Sequence, residues 1–515
     1  MTSNTVVEGH HVHENQTLRC DVCIVGSGAG GSVLAAELTA KGLDVVMLEA
    51  GGYFTKADFD LQESTAFPAM YQGRGARSSA DLSISVLQGR SVGGSTTVNW
   101  TTCFRTPERI LNHWRLKHGI DQLSSSSLAP HFEAVERRLN IKQWDLAKAN
   151  ENNRKLLLGA KQLGWDVHPT KRNVKGCINS GFCGVGCPVD GKQAMHVTYL
   201  SDALEQGLRL YADCRVDRLE VRAGSVSRVH ADILDRKTGR KSGKKLSVQA
   251  KVTVAAGGAL NSPALLQRSA IEVNQRVGKR TFLHPVVTMV AIYPEPVAGY
   301  YGAPQSIYSH QFTNAAKGEI GYFLEAAPVQ PMIMAQASAA HGSLLSQTMQ
   351  ELPNISAIIS LSIDGLLDSE AGGTVSVRED GRTKLDYAFT PALERSFLAA
   401  HKSIAKLHLA AGAREVISLH AEPCRIRSSK DMAQLDSRKY GRLKHPIFTA
   451  HQMGGCAMGG DPKTSVVNQQ HRVWGLDNLY VVDGSVLPTA LGVNPSQTIY
   501  GLAHRASAFV AQRVS

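Results

Sequence analysis

An α/β fold divided between two connected domains is what this sequence predicts, on three observations. Residues 20–50 run strand, glycine turn, helix and strand in one short unit. Between about 286 and 440 that pattern gives way to short strand-like runs broken by turn signals. At 515 residues the chain also exceeds what one compact core holds. Apolar residues make up 43% and charged residues 19%, a globular balance that excludes a disordered chain. No stretch approaches the ~18 uninterrupted apolar residues of a membrane span. Residues Met1 to Gln16 are polar, carry His10, His11 and His13, and lack the apolar core of a secretory leader. The net charge of +12 is scattered, and its densest run, Arg236 to Lys245, reads as a solvated hairpin loop. Nucleic acid is therefore not an expected partner, whereas weak peripheral contact with an anionic membrane is compatible with the charge. Nine cysteines without a disulfide framework point to a reducing, cytoplasmic location. Cys20 and Cys23 share a C-x-x-C spacing, but strand alternation sends them to opposite faces.

The first element is the apolar strand Val22 to Val25, which enters Gly26-Ser27-Gly28-Ala29-Gly30-Gly31. A helical pattern follows through Val33, Leu34 and Leu38 until Gly42, and a second strand, Val45 to Leu48, ends in Glu49-Ala50. This is a Rossmann-like dinucleotide cradle. Gly26 permits the tight turn, Gly28 lets backbone approach a pyrophosphate, and Gly31 allows close helix–strand packing. The helix start at Ala29 and Gly30 offers free N–H groups to phosphate. Glu49 can accept from the ribose hydroxyls and repels a 2′-phosphate, which disfavours NADP. The cradle by itself does not separate FAD from NAD.

Further along, Gly93-Gly94-Ser95 supplies backbone amides without side-chain bulk, suited to a planar ring or a diphosphate. Ser124 to Ser127 reads as a short loop. Val252 to Ala255 is a buried strand turning at Gly257-Gly258, and Leu479 to Val482 is another, ending in Asp483. Asp483 suits either a cofactor contact or a helix N-cap. In the middle region Ile320-Tyr322-Leu324, Pro331 to Ala335, Ile355 to Ile363 and Thr374 to Val377 read as strands, and Thr390 to Ala411 as a helix. Gly372-Gly373 and Asp380-Gly381 are turn signals, the latter a hairpin candidate. Phe323, Met332, Met334 and Leu361 fit a pocket lining or a core equally.

The segments Gln88-Gly89-Arg90-Ser91-Val92-Gly93-Gly94-Ser95-Thr96-Thr97-Val98-Asn99-Trp100, Ala255 to Pro263, His451-Gln452-Met453-Gly454-Gly455, Asn478 to Ser485 and Gly492-Val493-Asn494-Pro495 together resemble the glucose-methanol-choline (GMC) oxidoreductases, in family order over about residues 20–515. The resemblance implies a Rossmann-like FAD-binding domain with a discontinuous substrate domain built on an antiparallel sheet. It divides the chain into 16–285 (FAD-binding, with a Cys/Gly-rich loop inserted near 175–192), 286–440 (substrate-binding) and 441–515 (return to the FAD domain). It assigns FAD contacts to Gly93, Ser95 and Asn99, with Arg90, Gly94, Val216, Asp483 and Asn494 beside the cradle residues Gly26, Gly28, Ala29, Gly30, Gly31, Glu49 and Ala50. Some relatives attach FAD through a histidine where this chain has Val98, so non-covalent FAD is expected. Residues 165–215, with Gly181-Phe182-Cys183-Gly184-Val185-Gly186-Cys187, look closest to long-chain fatty alcohol oxidases.

Alcohol oxidation needs a base for the O–H proton and an acceptor for the C–H hydride; the flavin N5 takes the hydride and the protein supplies the base. An imidazole suits proton exchange near neutrality, and His451 stands where the family carries its catalytic histidine. Asn494 matches the family's second position and can orient the hydroxyl, but a carboxamide is no base. The expected reaction is oxidation of a primary, apolar alcohol to the aldehyde, with oxygen, a quinone or a cytochrome as electron acceptor. A sterol-type secondary alcohol oxidase and an FAD-scaffolded hydroxynitrile-type lyase are the rival enzymes. A non-catalytic binding or electron-relay protein is the rival from another class, opposed by the intact His451 and Asn494. His445 and His471 lie outside the matching positions, and His504 falls in an amphipathic C-terminal helix. Cys177, Cys183 and Cys187 on a Gly-rich loop are the ligand type of an iron–sulfur cluster. Free thiols are expected there, with the cluster as alternative and no other metal site.

Overall fold

The computed structural model of the chain describes residues 6–338 and 340–514. Its first sheet has a parallel core in the order Arg209–Tyr211, Val45–Leu48, Gln16–Val25, Lys241–Ala255, with Leu479–Val481 on the far side of the last. All four residues of Val45–Leu48 are buried, as expected of a strand covered on both faces. The register pairs Val25 with both Leu48 and Ala255, and Ala255 with Val481. Gly26, Glu49, Ala256 and Val482 therefore emerge side by side at the carboxyl edge, where open α/β sheets bind ligands. The helix Ala29–Thr39 covers one face and packs against the C-terminal helix Ser496–Val514. The upstream half of Lys241–Ala255 pairs antiparallel with Ser225–Leu234, which pairs with Cys214–Arg222.

Among the described residues the second sheet has nine strands around the antiparallel core Glu415–Ser418, Val286–Ile292, Ile355–Ser362, Tyr322–Ala326 and Ile307–Ser309. Helix Pro391–Ala410 packs on it, burying Leu393, Phe397, Ala400, Ile404 and Leu407 at helical spacing. Thr390 caps that helix by accepting from the Leu393 N–H at 3.2 Å, and Pro391 opens it. Ile447–Thr449 joins the sheet beside Val286 and also pairs with Ile84–Val86, while His168–Pro169 pairs with Ile307–Ser309. The sheet thus borrows strands from outside 286–440. No helix among the described residues is long and apolar enough to cross a membrane.

Three local expectations are corrected. Residues Pro331–Ala337 form a helix, not a strand, because Pro331 suits the first helical position and removes a ladder donor. Ser124 to Ser127 is a helix start rather than a loop. Ser124 Oγ accepts from the Ser127 N–H at 3.0 Å, Ser127 Oγ accepts from the Ser124 N–H at 2.9 Å, and the helix runs Ser125–Arg138. Only residues 236–240 of the basic run connect the strands, since Lys241 to Lys245 already belong to a strand. Charge pairing accounts for two of the basic residues there: Lys241 meets Asp232 at 2.8 Å, and Arg236 bridges Asp213 and Glu8.

Candidate active site

The glycine turn divides its labour by direction. A Cβ on Gly26 would stand 2.4 Å from the Ala256 carbonyl oxygen, with φ at +108°, so the turn lies hard against the next strand. A Cβ on Gly31 would meet the Gly26 carbonyl oxygen at 2.1 Å, which leaves the helix no room to retreat. Gly28 differs. Its nearest neighbour to an added Cβ is Gly94 Cα at 3.9 Å, so bare backbone at the helix start faces open space. That space is a cavity of about 750 Å³, within the range of cofactor sites. Ala29, Gly30, Glu49, Ala50, Arg90, Gly94, Ser95, Asn99, Val216 and Asp483 line it, whereas Gly31 and Gly93 stand behind its wall.

Glu49 accepts from the Ser27 N–H at 2.9 Å, Ser27 Oγ at 2.7 Å and the Gly51 N–H at 2.8 Å. A carboxylate has roughly four acceptor positions, so about one remains for a ribose hydroxyl, fewer than the pair expected. Arg90 donates to the Ala50 carbonyl at 3.1 Å, and Ser95 Oγ accepts from the Gly89 N–H at 2.9 Å. Asp483 holds the Gly258 N–H at 2.8 Å with one oxygen and the Ser485 N–H at 2.8 Å with the other. It thus caps the turn Gly484–Val486 and ties two strand ends together, and burial pushes its carboxyl up. Asn99 Oδ1 is buried without a partner. Bare glycine backbone at a helix N-terminus, one free carboxylate position and an unpartnered carboxamide oxygen fit a bound FAD.

The same cavity ends at His451 and Asn494. His451 follows the strand Ile447–Thr449 and its N–H donates to Thr449 Oγ1 at 3.1 Å; Asn494 precedes the helix Ser496–Val514. His451 Nε2 and Asn494 Nδ2 stand 3.3 Å apart, across 43 residues of sequence. Two groups that sequence reasoning missed complete the cluster. Glu325 Oε2 lies 3.4 Å from Asn494 Nδ2 and accepts from Gln305 Nε2 at 2.8 Å, while Oε1 is buried without a partner. His284 Nδ1 lies 3.1 Å from His451 Nδ1. The signals were present: Glu325 is a lone acid within the otherwise apolar strand Tyr322–Ala326, and His284-Pro285 opens the fully buried strand Val286–Ile292.

Burial governs the charges here. It pushes the Glu325 carboxyl up to about 8, the His451 imidazole down to about 3 and His284 well below its ordinary value. Both rings are therefore neutral, and the Gly492 contact sets the tautomer of His284. The Gly492 N–H donates to His284 Nε2 at 3.1 Å, so His284 carries its proton on Nδ1. That proton points at His451 Nδ1, which accepts and leaves the His451 proton on Nε2; Asn494 Nδ2 beside it only donates, so the two nitrogens 3.3 Å apart stand as paired donors, not as donor and acceptor. Asp364 fixes the register, accepting from the Leu283 N–H at 2.8 Å, the His284 N–H at 2.9 Å and Tyr387 Oη at 2.7 Å.

Val286, Ile359, Leu361 and Phe448 give this end of the cavity apolar walls. Of the pocket candidates only Leu361 lines it; Phe323 packs its ring 5.4 Å from His284, Met334 lies in the core, and Met332 packs on a separate cluster. Cys177, Cys183 and Cys187 lie half-buried on their loop without a disulfide, and their sulfurs are not in a group that converges within 4.8 Å among the described residues. Lys192 straps that loop to the cavity wall by donating to the carbonyls of Thr97, Asn99 at 3.2 Å and Cys183 at 2.7 Å. His504 packs against His131 with Nδ1 atoms 2.9 Å apart, and buried His471 meets the Val481 carbonyl at 3.0 Å.

Two family models described as GMC oxidoreductase match residues 67–286 and 369–503. An uncharacterized GMC-type oxidoreductase of Mycobacterium tuberculosis is 31% identical over 487 residues, 94% of this chain and 75% of that protein. A long-chain-alcohol oxidase of Arabidopsis thaliana is 28% identical over 523 residues, 95% of this chain and 68% of that protein. Among solved structures, pyridoxine 4-oxidase from Mesorbium loti superimposes with a TM-score of 0.72 at 20% identity, covering 95% of this chain and 99% of that one. That likeness in structure shows a shared fold.

Proposed function

The chain belongs to the GMC oxidoreductase family, and from that membership we propose that it oxidises a primary, apolar or long-chain alcohol to the aldehyde, with oxygen as the electron acceptor. It is an FAD-dependent oxidoreductase acting on CH–OH donors. The observation that carries the finer reading is one continuous cavity, with the glycine cradle at one end and His451, Asn494 and Glu325 at the other. Bound FAD supplies the acceptor for the hydride of the alcohol carbon. Gly28 with the helix start would hold its diphosphate, Glu49 a ribose hydroxyl, and Asn99 a further polar atom. Val98 at the wall carries no nucleophile, which supports non-covalent retention.

The chain's own groups handle the proton. An alcohol oxygen seated against Asn494 lies within reach of both His451 Nε2 and the Glu325 carboxyl. His451 serves as base only in the tautomer with a bare Nε2, which the Gly492 N–H on His284 opposes. We therefore assign His451 as the donor that holds the alcohol oxygen. The unpartnered Oε1 of ionised Glu325 accepts the O–H proton. Oxygen as acceptor rests on the relatives named oxidases, and the apolar substrate on the Val286, Ile359, Leu361 and Phe448 walls.

Anaerobic mixing of the FAD-loaded protein with 1-alkanols of increasing length tests this. Flavin absorbance should bleach faster with longer chains, with aldehyde formed, and air should restore the colour with hydrogen peroxide released. Bleaching by sterols alone would transfer the assignment to secondary alcohols. Cyanohydrin cleavage without any bleaching would make the protein a lyase.

A further inference from the structure

We propose that His401, His420 and His445 form a zinc site, separate from the flavin cavity, that clamps the chain segment leading into His451. The three come from different elements: His401 from helix Pro391–Ala410, His420 two residues beyond strand Glu415–Ser418, and His445 two residues before strand Ile447–Thr449. Their exposures are 0%, 3% and 1%, and one nitrogen of each lies within 4.8 Å of the others. None of them lines the cavity.

Hydrogen bonds leave lone pairs where a cation would sit. His401 Nδ1 lies 2.9 Å from the Phe397 carbonyl, which only accepts, so the proton is on Nδ1 and Nε2 presents a bare lone pair. A backbone carbonyl on the outer nitrogen is the arrangement that orients a metal-binding imidazole. His401 Nε2 stands 3.1 Å from His445 Nε2. In a tetrahedral zinc site with Zn–N near 2.0–2.1 Å, neighbouring ligand nitrogens lie about 3.3 Å apart. His420 Nδ1 is held by Ser418 Oγ at 3.0 Å, itself fixed by the Cys424 N–H at 2.9 Å, while His420 Nε2 is buried without any partner. Bringing the third ring into coordination takes a shift of no more than about 1.5 Å. A cluster held by hydrogen bonds alone leaves His420 Nε2 unpartnered in the interior. Arg438, the cation felt by His420, is already committed to Glu422 at 2.7 Å and to the Cys424 sulfur. Three neutral imidazoles suit zinc over magnesium or calcium, which take oxygen ligands. The consequence is mechanical: His445 is six residues from His451, and a metal there ties that segment to the helix and the sheet.

Untagged, FAD-loaded protein is dialysed against a chelator, then against micromolar Zn²⁺, and bound metal is measured. About one tightly held zinc per chain is expected, lost in His420→Ala and His445→Gln while the flavin band and circular dichroism persist. Reconstitution of the wild type with Co²⁺ should give the visible absorption of a tetrahedral nitrogen site, a readout that needs no folded variant and no alcohol substrate. Wild-type protein that stays metal-free after this dialysis overturns the proposal, as does zinc content that both folded variants retain, which would place the metal on His10 and His11 at the surface.

Discussion

Glu325 and His284 stand beside the proposed reacting pair, and motif reading left both out. Glu325 sits at about 8 against an ordinary value of 4.5, so it ionises late. Turnover should therefore rise as pH increases through about 8. Glu325→Gln should remove that rise and lower kcat by roughly 10²–10⁴; a pH–rate profile unchanged in the variant would return the base role to His451. The same shift affects stability, with the sign fixed by linkage. The folded state holds the Glu325 proton between about 4.5 and 8 while the unfolded chain releases it, so this stabilisation is full below 4.5 and declines as pH rises through 8. Its slope is at most about 1.4 kcal/mol per pH unit, and urea titrations of Glu325→Gln should show a flatter decline over that window. In the proposed mechanism His284 positions His451 and does not react. His284→Asn should slow flavin bleaching at saturating alcohol far more than it raises KM, because it frees the His451 ring without touching the apolar walls. Neither residue belongs to a motif on its own strand or turn, so only the folded neighbourhood gives them meaning.

At the element scale the glycine turn makes a paired prediction. Gly31→Ala places a Cβ 2.1 Å from the Gly26 carbonyl, so the helix Ala29–Thr39 cannot seat, and soluble folded protein should be lost. Gly28→Ala has 3.9 Å of room, so the fold should survive with a Tm close to wild type while FAD retention falls. Equal thermal losses in both variants would contradict this division of roles. The strands were legible because the period and the terminators agree: Val45–Leu48 matches its predicted limits residue for residue. The misreadings came where local chemistry is ambiguous. Four serines serve a loop or a capping box equally, and Pro331 ends a strand as readily as it starts a helix.

Across the whole molecule, the second sheet roofs the cavity with strands taken from several parts of the chain. Val286 pairs with Leu361 and with Phe448, so residues far apart in sequence form one apolar wall. Leu361→Trp should shorten that space and raise KM for long-chain alcohols by roughly tenfold or more, leaving the shortest alcohols little changed. Uniform weakening for all chain lengths would exclude this wall as the chain-binding surface.

By itself the sequence determined the α/β class and the family, and it pointed to the cradle from Gly26 to Glu49 and to His451 and Asn494, since each depends on residue type at short spacing or on a family motif. Tertiary structure alone decided that Glu325 and His284 stand beside that pair, that Asp483 spends its oxygens on two backbone turns, and that His401, His420 and His445 converge away from the cavity lining. Those facts depend on strand register and on burial. A titrating group takes its proton affinity and its tautomer from the atoms packed around it, and sequence spacing does not specify those neighbours.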